Sequence, residues 1–246
     1  MIDIIFFDVD DLLILTTPKY ELAKAEAFYD MSLFLRNKFP ALDNISNLLY
    51  QVDKELHYKN GYGNKDRFSN ALVETYNRIC GAVGKEPNET TQKMLFDRGQ
   101  EPFDINEYEN EDFMDGAKET LDFLVEKNCK LKIYTKGLDE YQREKIDYFK
   151  LDRWFKDEDI IIVNKKEPKH LKQNSHNLET SCFITDSLED VKVGIKSGIK
   201  VVHIPLKKIY HTKFSNDVRI KKLKGYDELY HKFDNLLEFR DNYHLL

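Results

Sequence analysis

Six residues near the amino terminus, Ile2-Asp3-Ile4-Ile5-Phe6-Phe7, run directly into Asp8-Val9-Asp10. The run is apolar, β-branched and aromatic, and reads as a buried strand. A desolvated carboxylate must find a partner or a metal, so a buried strand rarely ends in two aspartates without a reason. Residues i and i+2 of a strand point to the same side. The spacing therefore aims two carboxylates at one point in space, where one can serve as a nucleophile and the other as a proton carrier or metal ligand.

Four more short apolar runs read as strands: Lys130 to Tyr134, Ile160 to Val163, Ser181 to Ile184 and Lys200 to Ile204. Amphipathic helical segments lie before and between most of them. Gly116 to Asn128 places Ala117, Leu121, Leu124 and Val125 on one face. Gly137 to Lys150 carries Tyr141, Lys145, Tyr148 and Phe149 at helical spacing, with a less clear apolar stripe. Ser187 to Gly198 places Val191 and Ile195 on one face, and Gly198 suits a helix C-terminus. Strands alternating with helices of this length predict an α/β fold, a Rossmann-like and mainly parallel sheet with helices on both faces.

The stretch from Leu13 to Asp112 differs. It reads as helices almost throughout: Tyr20 to Phe39, Ile45 to Tyr58, Lys65 to Val83 and Thr90 to Glu101. About a hundred helical residues inserted after the first strand predict a second domain. The expected division is a core of residues 1–12 and 113–246 and a helical domain of residues 13–112. The insert's aromatic residues Phe28, Tyr29, Phe34, Phe68 and Tyr76 are expected in its core. Gly61-Tyr62-Gly63 reads as a loop facing the active site, Lys207 to Lys224 as a solvated segment and Asp227 to Phe239 as a terminal helix.

Bulk properties narrow the function. The chain has 246 residues and a formal net charge of −6, which carries no global footprint for nucleic acid. No apolar run approaches the length of a membrane span, and Asp3 and Asp8 interrupt the amino-terminal stretch that a signal segment would need. A cytoplasmic protein without nucleic-acid or membrane partners is expected. The cysteines Cys80, Cys129 and Cys182 are too dispersed for a zinc site or a disulfide framework, and Cys129 and Cys182 are expected as small core residues.

In open α/β sheets ligands bind beyond the carboxyl ends of the strands. Those ends here supply Asp8 and Asp10, then Thr135, Lys136 and Gly137, then Lys165, Lys166 and Pro168, then Thr185, Asp186 and Asp190. The set suits phosphoryl transfer. A phosphate monoester dianion repels an anionic nucleophile. A Mg²⁺ ion held by Asp8, Asp186 and the carbonyl of Asp10 would screen that repulsion. Thr135 and a lysine would bind phosphate oxygens, and Lys136 sits close enough to touch a substrate. Lys166 is favoured by its spacing to Pro168, with Lys165 its rival. Asp190 also suits a helix N-terminus through the dipole. His170 and His176 are expected at the surface, and Lys65 and Arg67 as exposed charge of the insert.

In this order the motifs resemble those of the haloacid dehalogenase superfamily: Asp-x-Asp after a buried strand, a run ending in Thr or Ser, a Lys often followed by Pro, and an acidic turn with a second acid four or five residues on. The resemblance spans roughly Met1 to Pro205 and includes Phe7-Asp8-Val9-Asp10-Asp11-Leu12-Leu13, Thr135-Lys136-Gly137 and Lys166-Glu167-Pro168. The long helical insert is similar to that superfamily's C1-type cap. The resemblance implies Asp8 as nucleophile, Asp10 as the acid and base, Thr135 and Lys166 as phosphate-binding, and Asp186 as a Mg²⁺ ligand with Asp190 a ligand or an outer orienter. It implies a phosphatase acting on a small phosphorylated metabolite rather than a dehalogenase, since the family's dehalogenases carry Tyr where Asp10 stands.

Three positions depart from that pattern: Leu12 stands where Thr is usual, Asp11 where Gly is common, and Thr185 where Gly precedes the metal-binding acid. Losing a hydroxyl at Leu12 removes a local hydrogen bond, and Thr185 adds bulk close to the metal. Two other readings share these motifs. A phosphomutase would keep the aspartyl-phosphate and pass the group to a sugar hydroxyl, and a non-catalytic binding protein would use the fold without turnover.

Overall fold

The computed structural model describes residues 2–60, 64–207 and 228–246. Its centre is the first apolar run. Strand β1 (Ile4–Phe7) is buried along its whole length and is paired on both sides, with β2 (Lys130–Lys136) and with β4 (Ser181–Thr185). Strand β3 (Ile160–Val163) lies outside β2, and β5 (Lys200–His203) and the short β6 (His231–Lys232) lie beyond β4. The order is β3-β2-β1-β4-β5-β6 and every pairing is parallel. Phe7 stands opposite Ile133 on one side and Ile184 on the other, so β1 and β4 finish almost level while β2 runs on to Lys136 beside the residues that follow β1. This register sets the residues that follow each strand side by side.

Alternation along the strands divides the sheet's contacts between its two faces. Ile4, Phe6, Tyr134 and Phe183 form one cluster with Leu171 of α7 (Pro168–Asn174), and Val193 of α8 (Leu188–Ser197) packs against it. On the other face Phe7 meets the edge of Phe155. Helix α5 (Ala117–Glu126) packs on β2, and α6 (Asp139–Tyr148) follows that strand. Gly198 ends α8 in the left-handed conformation (φ 82°), as its place in the sequence predicts. The fold is the expected α/β, Rossmann-like parallel sheet.

The carboxyl-terminal segment departs from expectation. Asp227 lies outside the described residues, and the rest of the stretch is not one helix. The open edge of β5 is taken by His231 and Lys232, and the Phe233 N–H donates to the His203 carbonyl at 3.2 Å. The helix α9 (Leu236–Asp241) begins only where the Asn235 side chain caps the Glu238 N–H at 2.9 Å. Gly61-Tyr62-Gly63 and the lysine-rich tract beyond Lys207 lie outside the described residues.

Contacts divide the chain into two units, Met1–Leu15 with Glu109–Leu246, and Thr16–Tyr108. Residues 13–15 and 109–112 therefore lie with the sheet, whereas the sequence places them with the insert. Backbone pairing is the reason: Leu15 N–H donates to Asp112 O at 2.7 Å and Met114 N–H to Leu13 O at 2.8 Å. The other unit is built of α1 (Thr17–Leu35), α2 (Leu42–Asn60), α3 (Arg67–Ala82) and α4 (Glu89–Gln100). Its core gathers Ala27, Met31, Leu72, Tyr76 and Leu95, together with Phe28 and Phe68. Tyr29 is not part of it: this side chain is 64% exposed, because it falls on the outer face of α1. Arg67 is not simply exposed either, since it pairs with Asp53 inside the unit.

Candidate active site

The residues after the strands converge around one buried ammonium. Lys166 Nζ lies 2.5 Å from Asp8 Oδ2 and 2.7 Å from Asp190 Oδ2, and all three side chains are buried. The rings of Tyr134 and Phe183 flank the ammonium, with centroids at 5.6 and 5.4 Å. Lys165 is exposed, so geometry separates the two lysines that spacing left as rivals. Asp190, the third residue of α8, does more than favour a helix N-terminus, because it holds Lys166.

The charge balance follows from burial. Burial pushes the Asp8 carboxyl up to about 6; Lys166 pulls it down, and Asp190 adds to the rise. Burial opposes ionisation of Asp190 as well, but Lys166 and Lys136 outweigh it and hold that carboxyl below the usual range. Burial also works against the Lys166 ammonium. Asp190 and Asp8 outweigh it and hold the lysine above its ordinary value. Asp190 and Lys166 thus form the charged pair on which Asp8 rests.

Asp8 is positioned by the sheet itself, since its N–H donates to the Ile184 carbonyl of β4 at 3.1 Å. Beyond it the chain turns sharply. Leu13 and Ile14 N–H groups both donate to the Val9 carbonyl, at 2.9 and 3.0 Å, and Asp11 adopts a left-handed conformation (φ 59°). Glycine would take that conformation freely, and Asp is among the few other residues that tolerate it. Leu12 is 1% exposed, so position 12 is a core position and offers the site no polar group.

The other departure gives a different result. Thr185 is fully buried, and its hydroxyl accepts from Ser187 N–H at 3.2 Å and donates to Asp8 Oδ2 at 3.4 Å. The extra bulk at this position therefore carries a hydrogen bond to Asp8. Next to it, Asp186 is buried, and its carbonyl accepts from His203 Nε2 at 2.8 Å. Burial, which outweighs the Asp186 carbonyl, keeps His203 below the usual histidine range.

Thr135, near the end of β2, is 1% exposed, and its hydroxyl has no partner among the described residues. A buried hydroxyl left in this way is costly unless an acceptor meets it. Lys136 ends β2 and is half-buried.

Three further groups act on the site without having stood out in the sequence. Gln142 Nε2 donates to Asp10 Oδ2 at 2.8 Å, and Lys145 Nζ pairs with Asp10 Oδ1. Tyr134 Oη accepts from the Glu167 N–H, next to Lys166, at 2.8 Å. His170 is not a free surface residue: its Nδ1 lies 3.1 Å from Tyr134 Oη and 3.3 Å from the Glu167 nitrogen, because α7 turns it back onto its own first turn.

Among the described residues no three His, Cys, Asp or Glu side chains form a ready ligand cluster. The donor chemistry nevertheless fits a hard cation. Asp8 and Asp186 are buried carboxylates at neighbouring strand ends, and Asp10 brings a backbone carbonyl. Asp190 Oδ2, like Asp8 Oδ2, is engaged by Lys166.

A family model described as haloacid dehalogenase-like hydrolase matches residues 2–198. Among solved structures, the chain is similar to a haloacid dehalogenase-like family hydrolase from Xanthomonas campestris, with 15% identity and a TM-score of 0.72 over 99% of this chain and 91% of that one. The HAD-hydrolase YfnB from Bacillus subtilis, bound to magnesium, matches with 17% identity and a TM-score of 0.57 over 100% and 98%. The L-2-haloacid dehalogenase from Xanthobacter autotrophicus with covalently bound chloropropionic acid matches with 16% identity and a TM-score of 0.60 over 99% of both chains. At these identities the structures speak to the fold alone. No curated protein matches the chain.

Proposed function

The chain belongs to the haloacid dehalogenase-like hydrolases, and within that family we propose that it is a Mg²⁺-dependent phosphatase of small phosphorylated metabolites. The observation that carries this reading is Asp10, a second carboxylate two residues beyond Asp8 and one-third exposed. A halide leaves without a proton, whereas the alkoxide of a phosphate ester needs one. A site with a carboxyl group beside its nucleophile is equipped for the second task.

Asp8 Oδ attacks phosphorus, the bond from phosphorus to the ester oxygen breaks, and Asp10 gives its proton to the departing oxygen. Asp10, now a carboxylate, then takes a proton from water as the water oxygen attacks the aspartyl-phosphate. The bond from phosphorus to Asp8 breaks, and phosphate and the Asp8 carboxylate are released. Lys166 neutralises phosphate charge, Asp190 keeps Lys166 in place, and the Thr135 hydroxyl and Lys136 serve as donors to the phosphate oxygens. Mg²⁺ held by Asp8, Asp186 and the Asp10 carbonyl supplies the charge that lets a carboxylate approach a phosphate dianion. Thr16–Tyr108 is the proposed cap, which excludes water and selects the substrate. No helix among the described residues is long and apolar enough to cross a membrane, and the cytoplasm, where buried thiols such as these three stay reduced, is the proposed compartment.

Hydrolysis of an aryl phosphate, followed by phosphate release with and without Mg²⁺, tests the reading. Turnover is expected with the metal and is expected to vanish in Asp8→Asn. Full activity in that variant, or equal turnover without metal, would overturn it.

A further inference from the structure

We propose that Gln142 and Lys145 of α6 are positioning residues that hold the Asp10 carboxylate for proton transfer; this rests on the phosphatase reading. Position 12, the nearest place for a local hydroxyl, is occupied by the buried Leu12. The Asp10 carboxylate is instead held from a different element. Lys145 takes Oδ1 and Gln142 takes Oδ2, so both oxygens have a donor from the same side.

Three observations separate this arrangement from an incidental surface pair. Lys145 is 0% exposed, and a buried ammonium carries a desolvation cost that its acid partner must offset. Its ammonium also lies 4.5 Å from the centroid of the Tyr141 ring, which leaves it little freedom to move. Gln142 is 2% exposed, and its Oε1 has no partner among the described residues, so the amide is committed to donating toward Asp10 at the expense of its own carbonyl. A carboxylate only accepts, which fixes the Nε2 end as the one that faces it. Gly137 makes the reach possible: a Cβ there would stand 2.9 Å from Gln142 Nε2 and 3.1 Å from its Cγ. The glycine after Thr135 and Lys136 thus leaves the space through which α6 supports Asp10.

Both carboxylate oxygens of Asp10 are thereby held from α6. The leaving-group oxygen must then come to a fixed acid rather than a rotating one. The dependence on leaving group is therefore the diagnostic readout. An alkyl phosphate needs the proton, whereas 2,4-dinitrophenyl phosphate releases an anion that is stable without it.

The full chain with MgCl₂ is assayed on both esters, using kcat/KM so that only the steps through enzyme phosphorylation are compared. Lys145→Met is expected to lose roughly tenfold or more on the alkyl ester beyond its loss on the dinitrophenyl ester. Gln142→Leu, which removes a donor without disturbing a buried charge, is expected to show the same pattern more weakly and guards against a folding defect in the first variant. Thermal melts of Asp10→Asn, Lys145→Met and the double variant supply a readout apart from turnover: Asp10→Asn removes the negative charge paired with the buried ammonium and lowers Tm, and the double variant regains part of the loss. Equal losses on both esters in an active, folded protein, or additive shifts in Tm, would overturn the inference alone. A wild-type protein inert toward both esters would overturn the phosphatase reading and this role for α6 with it.

Discussion

The Tyr134 hydroxyl is tied to the backbone of Glu167: it accepts the Glu167 N–H at 2.8 Å and lies 3.1 Å from the Glu167 carbonyl. The tie fixes the loop that carries Lys166 to the strand that carries Thr135. Tyr134→Phe removes the shorter of the two acceptors of the Glu167 N–H, leaving His170 Nδ1 at 3.3 Å, and is expected to destabilise the fold by about 1 kcal/mol. It is also expected to raise KM several-fold, as Lys166 loses its fixed approach to phosphate. Denaturant melts and steady-state kinetics on an aryl phosphate check both parts.

Thr185→Val keeps the shape of the side chain and removes the hydroxyl that serves both Ser187 N–H and Asp8. The expected cost is about 1 kcal/mol, from the lost hydrogen bond to a part-buried N–H, together with a fall in kcat. Thr185→Ser retains the hydroxyl and is expected to stay close to wild type in rate. A serine variant as slow as the valine variant would assign the effect to packing instead.

Asp159 links two lysines of β2, with Oδ1 at 2.9 Å from Lys130 Nζ and 3.1 Å from Lys132 Nζ. Burial works against its ionisation, but the two lysines outweigh burial and hold the carboxyl below its usual range. A lowered folded value stabilises the fold above the unfolded pKa of about 3.9, and that contribution fades as pH falls through the folded value. Asp159→Asn is expected to lose about 2 kcal/mol at pH 7, with a gap to wild type that narrows below about pH 4. Urea melts at both ends of that range measure the gap.

Gly99 in α4 lies against α3 so closely that a Cβ would stand 2.3 Å from Ser69 Cα and 2.7 Å from its nitrogen. Backbone cannot turn aside as a flexible side chain can. Gly99→Ala is expected to cost about 2–3 kcal/mol by forcing the two helices apart, although alanine is the better helix former. A thermal melt that matches wild type would show that the helices reseat without penalty.

Much of the site was legible because its residues lie at strand ends. Asp8, Thr135, Lys166 and Asp186 each follow an apolar run, and parallel pairing turns that sequence position into a spatial one. The α6 contribution was hidden for an equally physical reason. Its sequence shows a poor apolar stripe because part of its inward face is polar: Gln142 and Lys145 are buried beside Ile146. A helix with a weak stripe and a lysine at an inward position was the available signal. The carboxyl terminus misled in the opposite way, since a two-residue strand such as His231–Lys232 carries no periodicity to read. Tyr29 falls outside the insert's core because aromatic character alone does not fix the face of a helix on which a residue lies.

The pairing of β1 on both sides has a consequence for how the site fails. The amide of Asp8 is itself a rung of the ladder to β4, so that hydrogen is expected to exchange with solvent only when the sheet opens as a whole. Local breathing at the periphery leaves the carboxylate's anchor untouched. Isotope uptake at that amide should therefore keep pace with global unfolding, and the position of the nucleophile is lost with the sheet rather than by gradual loosening.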